Sequence, residues 1–135
     1  MFEVDQDILK VMSQRDMVSI PLEDIYYIES SGRKMNVYCQ EDRCISAYGK
    51  LNDMEKALEQ AWQKAGEGRK RFLRCHQSYL VSERYIQGVY PGHLMVQGNK
   101  ISITRKYAKI VEERQEDIVK EIKMAHNNDS IGIIK

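Results

Sequence analysis

At 135 residues, 42% hydrophobic and 30% charged, the chain suits one soluble domain with a sizeable core and leaves little room for a second complete one. No apolar run approaches bilayer-crossing length, and Met1-Phe2-Glu3-Val4-Asp5 lacks the basic and apolar regions of a signal peptide, so the expectation is a cytoplasmic protein with no membrane partner. The net charge of +1 by itself speaks against nucleic-acid binding, so any such role must come from how the charge is distributed.

From the N-terminus, Asp7 to Met12 reads as a strand or as the remnant of a linker, and residues 1–16 are set apart as an extension or linker ahead of a domain at 17–123. Met17 to Ile20, Asp24 to Ile28 and Lys34 to Cys39 mix alternation with β-branched and aromatic residues, and Ser30-Ser31-Gly32-Arg33 supplies turn chemistry between the last two. Arg43 to Tyr48 continues the pattern after Glu41-Asp42. A sheet built from hairpins is the expected frame.

After Gly49 the period changes. Leu51, Met54, Leu58, Ala61, Trp62 and Ala65 recur at spacings of three and four, which predicts an amphipathic helix over about 52–65. Asn52 is placed to cap it, Glu55 completes a capping-box pattern, and Gly66 stands where it would stop. The Trp62 stripe is read as core rather than as a cofactor site. Gly66 to Arg71 forms a basic loop, and strands resume at Tyr85 to Tyr90, His93 to Val96 and Lys100 to Ile103, turning at Pro91-Gly92 and Gly98-Asn99. A second helix is predicted from about Arg105, with Tyr107, Val111, Ile118 and Ile122 on one side. Residues 124–135 read as a tail in which Ile131 to Ile134 could add a short strand.

Enzymatic chemistry finds little support. The chain has no Gly-rich phosphate loop, nucleophile elbow or His-Glu-x-x-His motif, and Cys75-His76 with isolated His93 and His126 offers no metal-ligand spacing, so neither cofactor nor metal is expected. Cys39 and Cys44 flank a turn and could face each other across two strands, although a reducing compartment favours free thiols. Cys75 beside Arg74 and His76 is either a buried inert thiol or a redox-active one.

Charge is unevenly spread. Met1 to Ser31 holds two basic and seven acidic residues, whereas Gly66 to Ile110 holds nine and two. Such a segment in a near-neutral chain is either a phosphate-facing surface or an ordinary solvated face. It contains Phe72-Leu73-Arg74-Cys75-His76-Gln77-Ser78-Tyr79-Leu80-Val81, where cations and hydrogen-bonding side chains precede a run fit for a core.

Together with Ile20 to Glu29 upstream and Ile101 to Tyr107 downstream, that stretch resembles the LytTR family of bacterial DNA-binding domains, over about Val18 to Val111. The resemblance implies an elongated α+β, mostly β, fold of about ten strands in small antiparallel sheets, presenting loops to DNA rather than a recognition helix. It implies a sequence-specific transcriptional regulator of double-stranded DNA, with two copies on paired direct repeats. Many members follow a phospho-acceptor receiver domain in two-component systems, so the chain is either a standalone regulator or the DNA-binding half of a longer protein with a receiver domain or sensor kinase as partner.

The implied contact residues fall in three polar breaks. Ser31, Arg33, Lys34 and Asn36 lie in the first, Arg74, His76, Gln77 and Ser78 in the second, Arg105 and Lys106 in the third. Arg105 has the fork that pairs with guanine O6 and N7, and Gln77 suits adenine or a phosphate. Ser31 and Ser78 suit phosphate oxygens, while Arg33, Lys34, Arg74 and Lys106 would neutralise phosphates. Alternatives remain open: Arg33 and Lys34 as turn charges, His76 as a core histidine, Met35 as a non-contact. Two other functions compete, a protein-interaction module whose basic face meets an acidic partner and a binder of single-stranded RNA. Ser82 stands where the family usually has Asn and is placed to cap the turn at Glu83 to Tyr85.

Overall fold

The computed structural model describes residues 2–65 and 71–129, with side chains described throughout except at 121 and 124–129. Among these residues are eleven strands and two helices. Strands β1 (Phe2–Asp5), β2 (Ile8–Ser13) and β3 (Asp16–Pro21) make one antiparallel sheet. Strands β4 (Ile25–Ser31), β5 (Lys34–Cys39) and β6 (Arg43–Tyr48) join β7 (Phe72–His76) and β8 (Tyr79–Ser82) in a five-stranded sheet of order β6-β5-β4-β8-β7. The third sheet holds β9 (Ile86–Tyr90), β10 (His93–Val96) and β11 (Asn99–Ser102). Helices α1 (Leu51–Ala65) and α2 (Arg105–Asp129) complete a mostly β, α+β domain of three antiparallel sheets.

Tight reversals set the registers. Gln14 and Arg15 (φ 50° and 74°), and Glu41 and Asp42 (65° and 55°), are left-handed at both central positions, as a hairpin turn matched to strand twist requires. Between β4 and β5 the reversal falls on Gly32, at φ 63°, where any Cβ would be strained.

Alternation then sorts the five-stranded sheet into two faces. Leu80, Ile28, Val37 and Ile45 are register neighbours across β8, β4, β5 and β6, and they face a core shared with Leu51, Met54 and Leu58 of α1 and with Leu9, Val11 and Ile20. On the other face Leu73, Cys75 and Val81 meet Ile86, Leu94, Val96 and Ile101 of the third sheet and Val111 and Ile118 of α2. The predicted stripe of α2 is therefore the buried one. Arg114 of α2 bonds Glu83 at 2.6 and 2.9 Å, fastening the helix to the 3-10 turn at Glu83–Tyr85.

Of the two readings left open for Asp7 to Met12, the strand is the one found: β2 covers Ile8–Ser13, pairs with β1, and places Leu9 and Val11 in the core with no exposed surface. Several other expectations are corrected. Asn52 does not cap α1, which starts one residue earlier, and it is the Lys50 carbonyl that accepts from the Asp53 and Met54 amides at 3.1 Å. Ser82 sits ahead of the Glu83 turn without a side-chain capping bond. Cys44 pairs with Tyr38 and Cys39 with Arg43, so the two thiols lie on opposite faces, one exposed and one buried, and all three cysteines are free. Cys75 is fully buried and burial pushes its thiol up to about 12 against the pull of Arg74, in keeping with the buried inert reading of that residue. Residues 124–129, assigned to the tail, continue α2. The basic loop at 66–70 and the possible strand at 131–134 lie outside the described residues. Among the described residues no helix is long and apolar enough to cross a membrane, and no cluster of His, Cys, Asp and Glu could hold a metal ion.

Candidate nucleic-acid interface

The signature stretch forms a hairpin. β7 ends at His76, Gln77 and Ser78 make the reversal, and β8 begins at Tyr79. The Ser78 amide donates to His76 Nδ1 at 2.9 Å, so in the neutral ring Nε2 carries the proton, and the ring packs edge-on to Tyr79 with centroids 5.3 Å apart. His76 is thus half-buried and locally held, combining features of both open readings.

Two backbone bonds sew the other breaks to this reversal. The Ser30 amide donates to the Ser78 carbonyl at 2.8 Å, setting the β4–β5 turn beside it. The Thr104 amide donates to the Cys75 carbonyl at 3.0 Å, bringing the first residues of α2 to the same place. Residues 31–34, 76–78 and 104–106, far apart in sequence, therefore lie at one end of the fold. Ser31, Arg33, Lys34, Gln77, Arg105 and Lys106 are exposed there, and Ser78 is half-buried.

Among the described residues no hydrogen bond or ion pair engages the side chains of Arg33, Gln77 or Arg105. Lys34 lies 5.1 Å over the Tyr48 ring and Lys106 lies 5.4 Å over that of Tyr107, contacts that leave an ammonium's donors accessible. Arg105 opens α2, so the positive end of the helix dipole reinforces its charge.

Asn36 and Arg74 sit differently from the contacts expected of them, while Met35 is the non-contact that was left open. Asn36 belongs to a polar row across the sheet, Tyr79, Glu29, Asn36 and Ser46, in which its Nδ2 donates to Glu29 at 3.2 Å and its Oδ1 accepts from Ser46 at 2.6 Å. Both ends of its amide are taken by the sheet. Arg74 is 4% exposed and makes four hydrogen bonds, to the carbonyls of His76 (2.8 Å) and Gln77 (2.6 Å) and to Asn52 Oδ1 (2.9 Å) and Glu55 Oε1 (2.7 Å). Met35 is fully buried, which excludes it from contact. The basic segment is also less available than its sum suggests, because Arg71 bonds Glu59 at 3.0 Å and lies 4.3 Å over Trp62.

Sequence reading missed the supporting residues Asn52, Glu55 and Tyr107. The first two were visible as a capping-box pattern, but their acceptors serve Arg74 instead. The same face carries a tyrosine cluster: Tyr38 and Tyr79 donate to Glu29 at 3.0 and 3.1 Å, and Tyr27 stacks on Tyr38 with ring centroids 4.6 Å apart. Burial first, and Glu29 second, raise the pKa of the Tyr38 and Tyr79 hydroxyls.

The antiparallel fold thus gathers exposed cations, an amide and hydroxyls from three chain breaks at one end. The model of the LytTr DNA-binding domain family matches residues 15–116, and the chain belongs to that family. Among solved structures it is similar to the LytTr DNA-binding domain of a putative methyl-accepting/DNA response regulator from Bacillus cereus, with a TM-score of 0.64 and 19% identity over 81% of this chain and 96% of that one. No curated protein matches the chain in sequence.

Proposed function

We propose that this chain is a cytoplasmic, sequence-specific transcriptional regulator that inserts its loops into the major groove of double-stranded DNA and occupies paired direct repeats, one copy on each. The observation that supports it most is the convergence of 31–34, 76–78 and 104–106 through the Ser30–Ser78 and Thr104–Cys75 backbone bonds. Arg105 reads guanine through its fork and Gln77 reads adenine or bonds a phosphate. Arg33, Lys34 and Lys106 neutralise phosphates, Ser31 and Ser78 bond phosphate oxygens, and His76 Nε2–H adds a donor beside them. The domain serves as the output of a bacterial two-component response regulator when a receiver domain or sensor kinase is coupled to it.

Selection from a random duplex pool tests this, followed by anisotropy on the winner and a scrambled duplex across salt concentrations. The expected result is a recurring motif in two direct copies, tighter binding than to the scramble, and affinity that falls as salt rises. No enrichment and no salt-dependent binding would remove the DNA reading and turn attention to an acidic protein partner.

A further inference from the structure

Arg74 occupies the junction between the candidate reading turn, the start of α2 and helix α1. We propose that Arg74 is a positioning residue for sequence readout: it does not touch DNA, but holds the 76–78 turn and the first turn of α2 in register with each other, anchored by Asn52 and Glu55. The inference rests on the DNA-binding reading above and deepens it.

The geometry uses what a guanidinium alone offers. A planar fork has donors on several edges in fixed directions, whereas a lysine ammonium is a compact point charge. Nε and Nη2 meet the carbonyls of His76 and Gln77 at 2.8 and 2.6 Å, so the two peptide groups that shape the reversal are tied inward. The Gln77 side chain, on the same residue, is exposed. Nη1 points to Asn52 in the first turn of α1 and to Glu55 at the start of the second, at 2.9 and 2.7 Å. The guanidinium also lies 5.4 Å over the ring of Tyr107, two residues after Arg105, and the adjacent Cys75 carbonyl takes the Thr104 amide. One buried cation thus touches both elements that present base-reading side chains, and among the described residues its carboxylate partner, Glu55, stands on a helix outside the reading surface.

A base contact needs its donors placed to within a fraction of an ångström, whereas a phosphate contact tolerates displacement. Loosening Arg74 should therefore lower the preference for the selected duplex more than the affinity for any duplex. A phosphate-contacting arginine would do the reverse, weakening all sequences alike and reducing the salt slope by about one.

The test compares wild type, Arg74→Lys and the double variant Asn52→Ala/Glu55→Ala on the selected and scrambled duplexes across salt, with thermal melting as the control for folding. Alanine is a strong helix former at both positions, and the double variant leaves every exposed cation in place, so it remains informative where Arg74→Lys does not fold. The expected result is that the ratio of selected to scrambled affinity falls about tenfold or more in both, the scale of a misplaced bidentate contact, with the salt slope unchanged. Charge alone gives the opposite sign for the double variant, since losing a carboxylate should tighten binding to every duplex. A double variant that binds all duplexes more tightly at the wild-type ratio overturns the proposal, and so does Arg74→Lys with the wild-type ratio. A wild-type chain that selects no sequence overturns the DNA-binding reading itself, and this inference with it.

Discussion

Arg105 and Arg33 bear the same charge in different settings, and the difference is measurable. Arg105 opens α2 beside the 76–78 turn, while Arg33 is the second residue of a two-residue hairpin reversal after Gly32. If Arg105 reads a guanine, Arg105→Ala costs about 1–3 kcal/mol on the selected duplex and relaxes preference at one base position. Arg33→Ala should instead weaken binding to all duplexes and lower the salt slope by about one. Anisotropy on a panel of singly substituted duplexes separates them, and an unchanged rank order in Arg105→Ala would assign that side chain to phosphate. The types of these residues were legible in the sequence because fork, amide and ammonium chemistry belongs to the side chain. Their availability was not. Arg74 and Arg105 look equivalent as letters, yet one is enclosed by acceptors contributed from residue 52 to residue 77 and the other is exposed.

At the scale of elements, the polar row on the five-stranded sheet has its own signature. Tyr27, Tyr38 and Tyr79 have pKa values raised from 10.0, by burial first and by Glu29 next. The folded protein thus keeps these phenol protons to higher pH than the unfolded chain does. Their contribution to stability is complete below pH 10 and is lost as pH rises above it. Urea midpoints should accordingly fall as pH rises above about 10, and Glu29→Gln, which removes the carboxylate while keeping an acceptor, should make that fall shallower. A midpoint equally steep in pH with and without the carboxylate would show that Glu29 does not govern the phenols. The strands of this sheet were legible from alternation and turn residues, and α1 from its apolar spacing, because those signals are local. The row itself was not, since it exists only once β8 pairs with β4 and brings Tyr79 opposite Glu29, a register that spans 50 residues of chain.

For the molecule as a whole, the least legible feature is how far the domain extends toward the N-terminus. The resemblance begins near Val18, and Ile8-Leu9-Lys10-Val11-Met12 alternates over a stretch short enough to read as strand or linker. Pairing decides between them. β2 aligns with β3 along its whole length, from Ile8 opposite Pro21 to Ser13 opposite Asp16, which turns Leu9 and Val11 inward against Ile20 and the α1 side of the core. The outward positions Ile8, Met12 and Met17 stay partly exposed, so the strand carries apolar residues on both faces and its period is blurred in the sequence. A linker would tolerate truncation of any of these side chains, but a core strand would not. Leu9→Ala should cost about 2–5 kcal/mol, seen as a lower urea midpoint at unchanged m, because the surrounding sheet and helix relax only partly into the space left. Met17→Ala, on the exposed face of the neighbouring strand, should change the midpoint by no more than about 0.5 kcal/mol. Equal and small effects at the two positions would return residues 1–16 to the status of an appendage, whereas the predicted contrast makes β1 and β2 part of the unit that holds the sheet, α1 and, through Asn52 and Glu55, the 76–78 turn in place.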